Sequence, residues 1–315
     1  MVVVHSSGDA PLYVHLYVHC AGTQGPKPKE ETMTTRSPDP SETGSIFASG
    51  EVAEQWHRGK AERDEVNAPA NEMMLNLANL CAGNRVLDVA AGTGDQTLMA
   101  ARRVGPTGYV LATDISTSML NLTAEAVRNA GLTNVDTRVM DAENIDLDTD
   151  SFDAVICRMG LMLFSNPVKA LIEMHRVVKP TGKVVALVWS TEEKNPCRGL
   201  PLAIVRRFGS NLSAVPGLRL MFALGEPGIL EDTFRAGGFH DVAVRAVTTR
   251  WCFPSTTEAI RATKGSFPGL QRIMAQLSDA ERELAWTEIE QQLSQFGGPN
   301  GFEAPGEVLI GVATK

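Results

Sequence analysis

The sequence predicts an α/β fold with a mostly parallel sheet and helices on both faces. The first observation is residues 86–89, an apolar run that predicts a buried strand and leads through a glycine-rich turn into a helical pattern at residues 98–101. The second observation is that similar strand patterns recur at residues 109–114, 135–140 and 152–157. Strands that alternate with helices indicate βαβ units and therefore a parallel sheet.

Acidic residues stand where three of these predicted strands end. Asp88 lies inside the end of the first strand, Asp114 ends the second, and Asp141 follows the third. The carboxyl ends of parallel strands share one edge, where open α/β sheets bind ligands. Any one of these acids could be a solvated cap, but three in register favour a binding site at this edge.

The turn after the first strand favours a cationic ligand over a dinucleotide. Gly92 and Gly94 allow the backbone to approach a ligand closely, because they have no Cβ. The dinucleotide pattern needs a third glycine where Thr97 stands. Asp88 and Asp95 flank the glycines; they would repel a pyrophosphate and attract a sulfonium and an amino group. S-adenosylmethionine (SAM) is such a ligand.

Five motifs follow one another in an order and at a spacing typical of one enzyme family. They are residues 86–95, 113–120, 141–144, 151–155 and 174–182. They resemble the core of class I SAM-dependent methyltransferases, and most closely the ubiquinone/menaquinone C-methyltransferase group (methyltransferase type 11), over about residues 85–190. The resemblance implies a Rossmann-like fold with a seven-stranded mixed sheet whose last strand is antiparallel. It also implies SAM as cofactor and S-adenosylhomocysteine as product.

The resemblance assigns the methionine end of SAM to the first turn. Gly92 and Gly94 would line the methionine moiety, and Asp88 would anchor its amino group. Ala90 belongs to the same cofactor-binding set and stands where the usual motif has its first glycine.

The adenosine end of SAM is assigned to the next two strand ends. Asp114 would hold the ribose hydroxyls, a role that acids at this position have in other nucleotide-binding βαβ units. Ile115 and Met119 would enclose the adenine between them, and Asp141 with the backbone of Ala142 would bind its edge.

The segment after the fourth strand predicts the acceptor side of the site. Met159, Met162 and Phe164 offer an adaptable apolar wall for a substrate. Arg158 stands at the strand end, close to the expected methyl donor, so we count it with both the cofactor-binding and the catalytic candidates. It could orient an anionic oxygen of the acceptor, or it could pair with a carboxylate at the sheet edge.

The N-terminal part of the chain predicts a lid. Residues 1–45 are rich in Pro, Gly, Ser and Thr and predict a disordered extension, whereas residues 46–84 predict a helical lid over the site. Trp56 is a candidate for the substrate pocket, although a simple docking role is the alternative. His57 joins Arg158 as a candidate for chemistry on the acceptor.

Composition narrows the classes of partner. The chain has 315 residues, of which 43% are hydrophobic and 21% charged, with a formal net charge of −8. No apolar run reaches the roughly 18 residues of a membrane-spanning helix. The 5 cysteines are scattered, which argues against a zinc or iron–sulfur site, so we expect no metal. The acidic charge, without a basic block, disfavours nucleic acid. We expect a cytoplasmic protein with a small-molecule acceptor; its oligomeric state stays open.

The C-terminal part is expected to complete the sheet and to shape the acceptor pocket. Residues 191–315 contain two apolar insertions, residues 191–236 and 254–300, which predict either a substrate pocket or ordinary core. The predicted function is methyl transfer from SAM to a small, partly hydrophobic or aromatic metabolite. Quinone-ring C-methylation is one alternative, and a non-catalytic SAM-binding regulator is another.

Overall fold

The computed structural model describes residues 50–208 and 221–315 of the chain, and the structural statements below concern these residues. The predicted disordered extension, residues 1–45, lies outside them. So does part of the first predicted insertion, residues 209–220.

The described residues form one mixed sheet of eight strands. The strands are β1 (Arg85–Val89), β2 (Tyr109–Asp114), β3 (Val135–Val139), β4 (Phe152–Arg158), β5 (Val178–Trp189), β6 (Val242–Phe253), β7 (Gly297–Gly298) and β8 (Gly301–Thr314). Their order is β3-β2-β1-β4-β5-β8-β6, with β7 paired to β8. The first five strands pair in parallel, and β8 is antiparallel to both β5 and β6. The predicted α/β class is confirmed; the eighth strand is the two-residue β7, which turns directly into β8.

Ten helices accompany the sheet within the described ranges. They are α1 (Gly50–Arg58), α2 (Lys60–Leu77), α3 (Asp95–Val104), α4 (Thr117–Asn129), α5 (Pro167–Val177), α6 (Pro196–Arg207), α7 (Ile229–Ala236), α8 (Thr256–Ser266), α9 (Pro268–Met274) and α10 (Asp279–Leu293). Short 3₁₀ turns occur at Leu161–Leu163 and Ser294–Phe296.

The residues Asn166 and Pro167 account for the start of α5. The Asn166 side chain accepts a hydrogen bond from the Lys169 backbone N–H, and Pro167 occupies the first helical position. Proline is tolerated there because the first backbone N–H groups of a helix have no partner within the helix.

The second N-terminal helix is longer than its apolar pattern predicts. That pattern predicts a helix over residues 71–80, whereas α2 begins at Lys60 and continues through Pro69. The buried side of α2 carries Arg63 and Asn67 beside Val66 and Ala70, so polar residues interrupt the apolar period. The sequence pattern therefore does not reveal roughly the first three turns of α2.

The core lies around the central strands. Residues 86–89 of β1 and residues 184–189 of β5 are buried, as parallel strands covered on both faces should be. Helix α1 takes part in a separate, smaller apolar cluster, in which Val52 and Ala53 pack with Met119 of α4. Its attachment through so few apolar side chains is compatible with the predicted lid, which stays a prediction.

Substitutions at two glycines distinguish the cost of backbone strain from the cost of a steric clash. Gly94 has a φ of 84°, and a Cβ there would lie 2.8 Å from Thr123 Cγ2. Gly131 has a φ of 66°, and a Cβ there would meet nothing within 4 Å. We expect Gly131→Ala to lower the free energy of unfolding by about 1 kcal/mol, the cost of a left-handed alanine. Gly94→Ala should cost about 3 kcal/mol, because overpacking adds to that strain. Urea unfolding measures both, and equal losses would contradict the predicted contact with Thr123.

Candidate functional site

A cavity of about 210 Å³ opens at the carboxyl edge of the parallel strands. Its wall includes the turn after β1, the ends of β2 and β4, and the N-terminal helices α1 and α2. Of the residues predicted for the site, those that line the cavity are Trp56, Asp88, Ala90, Gly92, Asp114, Ile115, Met119, Asp141, Ala142, Arg158, Met159, Met162 and Phe164. The topology thus brings together residues from motifs far apart in the sequence; their binding roles stay predictions.

Two predicted site residues do not line the cavity. His57 is exposed on α1, whereas its neighbour Trp56 is half-buried and lines the cavity. Successive helical residues point about 100° apart, so one of the pair faces away. Gly94 caps α3 and lies against Thr123, where it shapes the turn. The structure thus places His57 and Gly94 outside the lining of the cavity, and their predicted roles stay predictions.

Asp88 is a fully buried carboxyl group with one unpaired oxygen. Thr97 Oγ1 donates a hydrogen bond to Asp88 Oδ2 over 2.6 Å, while Oδ1 has no hydrogen-bond partner. Burial raises the pKa of Asp88 to about 7, although the Thr97 hydroxyl and the nearby Arg158 charge act against that rise. Thr97, which occupies the third glycine position of the dinucleotide motif, thus orients Asp88. A cationic group in the cavity could pair with the free oxygen.

Asp114 joins the end of β2 to the glycine turn after β1. The Gly92 N–H donates to Asp114 Oδ2 over 2.9 Å, and the Ser116 N–H donates to Oδ1 over 2.9 Å. Burial raises the pKa of Asp114, whereas these backbone donors lower it. Each carboxylate oxygen can accept more than one hydrogen bond, so the group can still bind a pair of hydroxyls.

The side chains expected around a base lie at the rim of the cavity. Ile115 is 44% exposed although it lines the cavity, while Met119 on the next helix is buried. Asp141 is exposed, and its Oδ1 accepts a hydrogen bond from the Glu143 N–H over 2.9 Å. An exposed isoleucine can contact the flat, apolar face of a base, and a carboxylate can bind its polar edge.

Two residues on the cavity wall have a strained backbone. Ala90 has a φ of 56°, at the position where the related motif has glycine, and Met159 has a φ of 58° at the end of β4. Residues other than glycine rarely adopt this left-handed region of backbone conformation. Such residues persist where the surrounding structure holds them, and they are common at binding sites.

A partly buried ion network links α2 to the start of α3. Arg158 Nη2 donates to Asp95 Oδ2 over 2.8 Å, and Arg158 Nη1 lies 3.8 Å from Asp64 Oδ1. Lys60 pairs with both Asp64 and Asp95. Arg158 therefore has the ion-pair role that the sequence left open, and it still lines the cavity. Asp95 is neutralised by two cations, so its predicted attraction for a sulfonium is weakened.

Five buried polar residues on the cavity wall were not predicted for the site: Arg63, Asn67, Thr93, Gln96 and Glu143. For two of them the available signal was their spacing along the chain, although the apolar pattern does not predict that part of α2. Arg63 and Asn67 are four positions apart and share one face of α2, and Asn71 continues that row. A polar row on the buried side of a helix indicates a partner other than core.

Both insertions contribute to the apolar side of the cavity. Met221 belongs to the first insertion and Phe267 to the second, and Trp189 at the end of β5 also lines the cavity. Among the described residues, no group of three or more His, Cys, Asp or Glu side chains is arranged for a metal ion. No helix in the described ranges is long and apolar enough to span a membrane.

Comparisons with known proteins agree with the motifs. Residues 70–199 match the model of the ubiE/COQ5 methyltransferase family. The ubiquinone/menaquinone biosynthesis C-methyltransferase UbiE of Cupriavidus metallidurans is 37% identical over 158 residues, which are 46% of this chain and 65% of that protein. The UbiE protein of Ralstonia pickettii is 44% identical with the same coverage. The chain thus matches 65% of the length of these relatives.

Solved structures agree on the fold. The YcgJ protein of Bacillus subtilis superposes with a TM-score of 0.52 at 19% identity, covering 79% of this chain and 98% of that one. Phosphoethanolamine N-methyltransferase 2 of Haemonchus contortus gives a TM-score of 0.51 at 19% identity, covering 78% of this chain and 53% of that one. These identities support the fold alone. Together with the family match, they confirm the resemblance that the motifs predict: the core of this chain is similar to the ubiE/COQ5 methyltransferase family and has the fold of class I methyltransferases.

Proposed function

We propose that this chain transfers a methyl group from SAM to a small, partly hydrophobic or aromatic metabolite. The observation that carries the proposal is the pair of buried carboxylates, Asp88 and Asp114, that meet in one cavity around Gly92. Two anionic groups flanking a close backbone approach suit a ligand with a cationic end and a ribose. The family match over residues 70–199 supports the same ligand.

The residues present fit SAM. The unpaired Oδ1 of Asp88 can accept a hydrogen bond from an ammonium group, and Asp114 can accept from two ribose hydroxyls. Gly92 leaves room above the turn, since even a Cβ there would be 3.8 Å from Trp56 Nε1. Ile115 and Met119 can contact the two faces of the adenine.

The chain's contribution to the reaction is alignment and exclusion of water. When bound, SAM would supply a methyl carbon on a sulfonium, which passes to an acceptor lone pair while the C–S electron pair stays on sulfur as S-adenosylhomocysteine. Asp88 and Asp114 hold the donor end in place, and Trp56 covers the glycine turn. Orientation of this kind accounts for much of the acceleration in transfers between two substrates.

The acceptor-facing wall supports an apolar or aromatic acceptor. Met159, Met162 and Phe164 line the cavity after β4, and Trp189 and Phe267 face the same space. Methionine side chains adapt to irregular ligands, and aromatic rings stack on flat ones. The net charge of −8 supports a small molecule rather than nucleic acid. A cytoplasmic location and the absence of a resident metal belong to the same proposal.

Quinone-ring C-methylation is the second candidate. It is favoured by the relatives, which are named for ubiquinone and menaquinone biosynthesis. The family match ends at residue 199, so the second insertion, which adds Phe267 to the cavity, is not part of it. Turnover of SAM with a panel of quinols, phenols, amines and acids would separate the candidates. A regulator without activity would bind SAM and methylate none of them.

The role of Asp114 is testable by calorimetry. We expect Asp114→Ala to weaken binding of SAM and of S-adenosylhomocysteine about 30-fold or more, because two charge-assisted hydrogen bonds to the ribose are lost. Asp148→Ala, at an exposed acid outside the cavity, should leave both affinities unchanged. Unchanged binding by Asp114→Ala would refute the ribose role.

The raised pKa of Asp88 predicts opposite pH trends for stability and binding. A neutral buried carboxyl favours the folded state, so its contribution to unfolding free energy is complete below about pH 4 and is lost as pH rises through about 7. An ammonium group pairs better with the ionised form, so affinity for S-adenosylhomocysteine should rise between pH 6 and 7.5. Asp88→Asn should flatten both profiles. Denaturation and calorimetry across this range measure them, and pH-independent wild-type profiles would contradict the role of Asp88.

A further inference from the structure

Helix α2 carries a row of buried polar side chains on the side that faces the sheet. Arg63, Asn67 and Asn71 follow one another at intervals of four residues, and they are 6%, 2% and 3% exposed. Residues so spaced lie on one helix face, which is normally apolar when it is buried. The first two line the cavity.

These side chains have few partners within the protein. Arg63 Nη2 donates to the Trp56 carbonyl oxygen over 2.5 Å, and Asn67 Nδ2 donates to the Arg63 carbonyl oxygen over 2.8 Å. Arg63 Nε and Nη1 and Asn67 Oδ1 are buried without a hydrogen-bond partner. Buried polar groups are nearly always paired, so unpaired donors on a cavity wall indicate a ligand.

Arg63 is a buried cation that forms no ion pair within the described part of the chain. Its guanidinium lies 4.1 Å above the Trp56 ring, and the ion pairs of the described residues do not include it. Burial and the positive fields of Arg158 and Arg198 lower the pKa of Arg63 to about 10, although the negative fields of Asp95 and Asp64 act against that fall. The group is therefore charged at neutral pH, although an uncompensated buried charge is costly. An anion in the cavity would offset that cost.

The neighbouring arginines already have partners. Arg158 pairs with Asp95 over 2.8 Å. Arg198 is stacked on two aromatic rings, at 4.6 Å from the Trp251 centroid and 4.7 Å from the Phe267 centroid. Arg63 is thus the arginine on the cavity wall that forms no ion pair, although Asp64 and Asp95 are near enough to favour its charge. Its planar fork suits two oxygens of one carboxylate.

We propose that Arg63 and Asn67 form an anion subsite that binds a carboxylate, or an oxyanion of similar size, on the methyl acceptor. The inference rests on the proposed methyl transfer and narrows its substrate class. Phe267 of the second insertion lines the same cavity as Arg63 and Asn67, so the subsite opens into the space that the apolar acceptor wall encloses. The acceptor is then an apolar or aromatic body with one anionic end.

The test measures binding to protein saturated with S-adenosylhomocysteine. The probes are matched pairs of an aromatic carboxylate and its neutral amide, such as benzoate with benzamide and 2-naphthoate with 2-naphthamide. We expect at least one carboxylate to bind about tenfold more tightly than its amide, the gain of a charge-assisted pair. Arg63→Met should abolish that preference, Arg63→Lys should retain part of it, and Arg58→Met, at an exposed arginine outside the cavity, should retain all of it.

Two controls separate this inference from the proposed function. Arg63→Met should bind S-adenosylhomocysteine with nearly wild-type affinity; a loss of tenfold or more, with unchanged binding of 5′-methylthioadenosine, would place the cofactor's own carboxylate on Arg63 and overturn the inference. The inference also fails if the wild-type protein prefers none of the carboxylates, or if Arg63→Met and Arg63→Lys both keep the preference. Failure of the wild-type protein to bind S-adenosylhomocysteine would instead refute the proposed function.

Discussion

The hydrogen bond from the Gly92 N–H to the Asp114 carboxylate is the contact on which the rest of the site depends. The Gly92 nitrogen and Asp114 Oδ2 are 2.9 Å apart, and this bond holds the turn after β1 against the end of β2. Because Asp114 is buried, loss of this donor would leave a carboxylate poorly solvated, which is strongly unfavourable. The turn, both carboxylates and the side chains above them therefore form one unit, whose geometry depends on a backbone N–H and not on a flexible side chain.

Charge is distributed unevenly around this unit. Asp95 and Arg158 satisfy each other, and Lys60 adds a second cation to Asp95. Asp88 and Arg63, both buried on the cavity wall, form no ion pair within the described ranges and keep polar atoms without a hydrogen-bond partner: one carboxyl oxygen of Asp88 and two nitrogens of Arg63. One is suited to a cation and the other to an anion. A buried charge without an ionic partner is energetically unfavourable. We therefore expect an oppositely charged group of a ligand at each of these two residues.

Much of the fold and of the cofactor side could be predicted from the sequence. The apolar runs around Asp88 and Asp114 predict the strands, and the acids near their ends predict the site. Both follow because a parallel sheet places the carboxyl ends of its strands at one edge. The exposure of His57 could not be predicted, because packing decides which side of a short helix faces a cavity. Arg63 was not predicted because polar residues on the buried side of α2 disrupt the apolar period from which helices are predicted. The acceptor wall depends on contacts between β5 and the insertions, which no local pattern encodes.

The central claim is that the strand-end carboxylates around Gly92 bind the two ends of one cofactor. A crystal structure with S-adenosylhomocysteine tests it most directly. We expect both ribose hydroxyls within hydrogen-bond distance of the Asp114 carboxylate and the amino group within reach of Asp88 Oδ1, with the adenine beside Ile115. A ligand bound elsewhere on the chain, or one whose ribose has no contact with Asp114, would contradict the account.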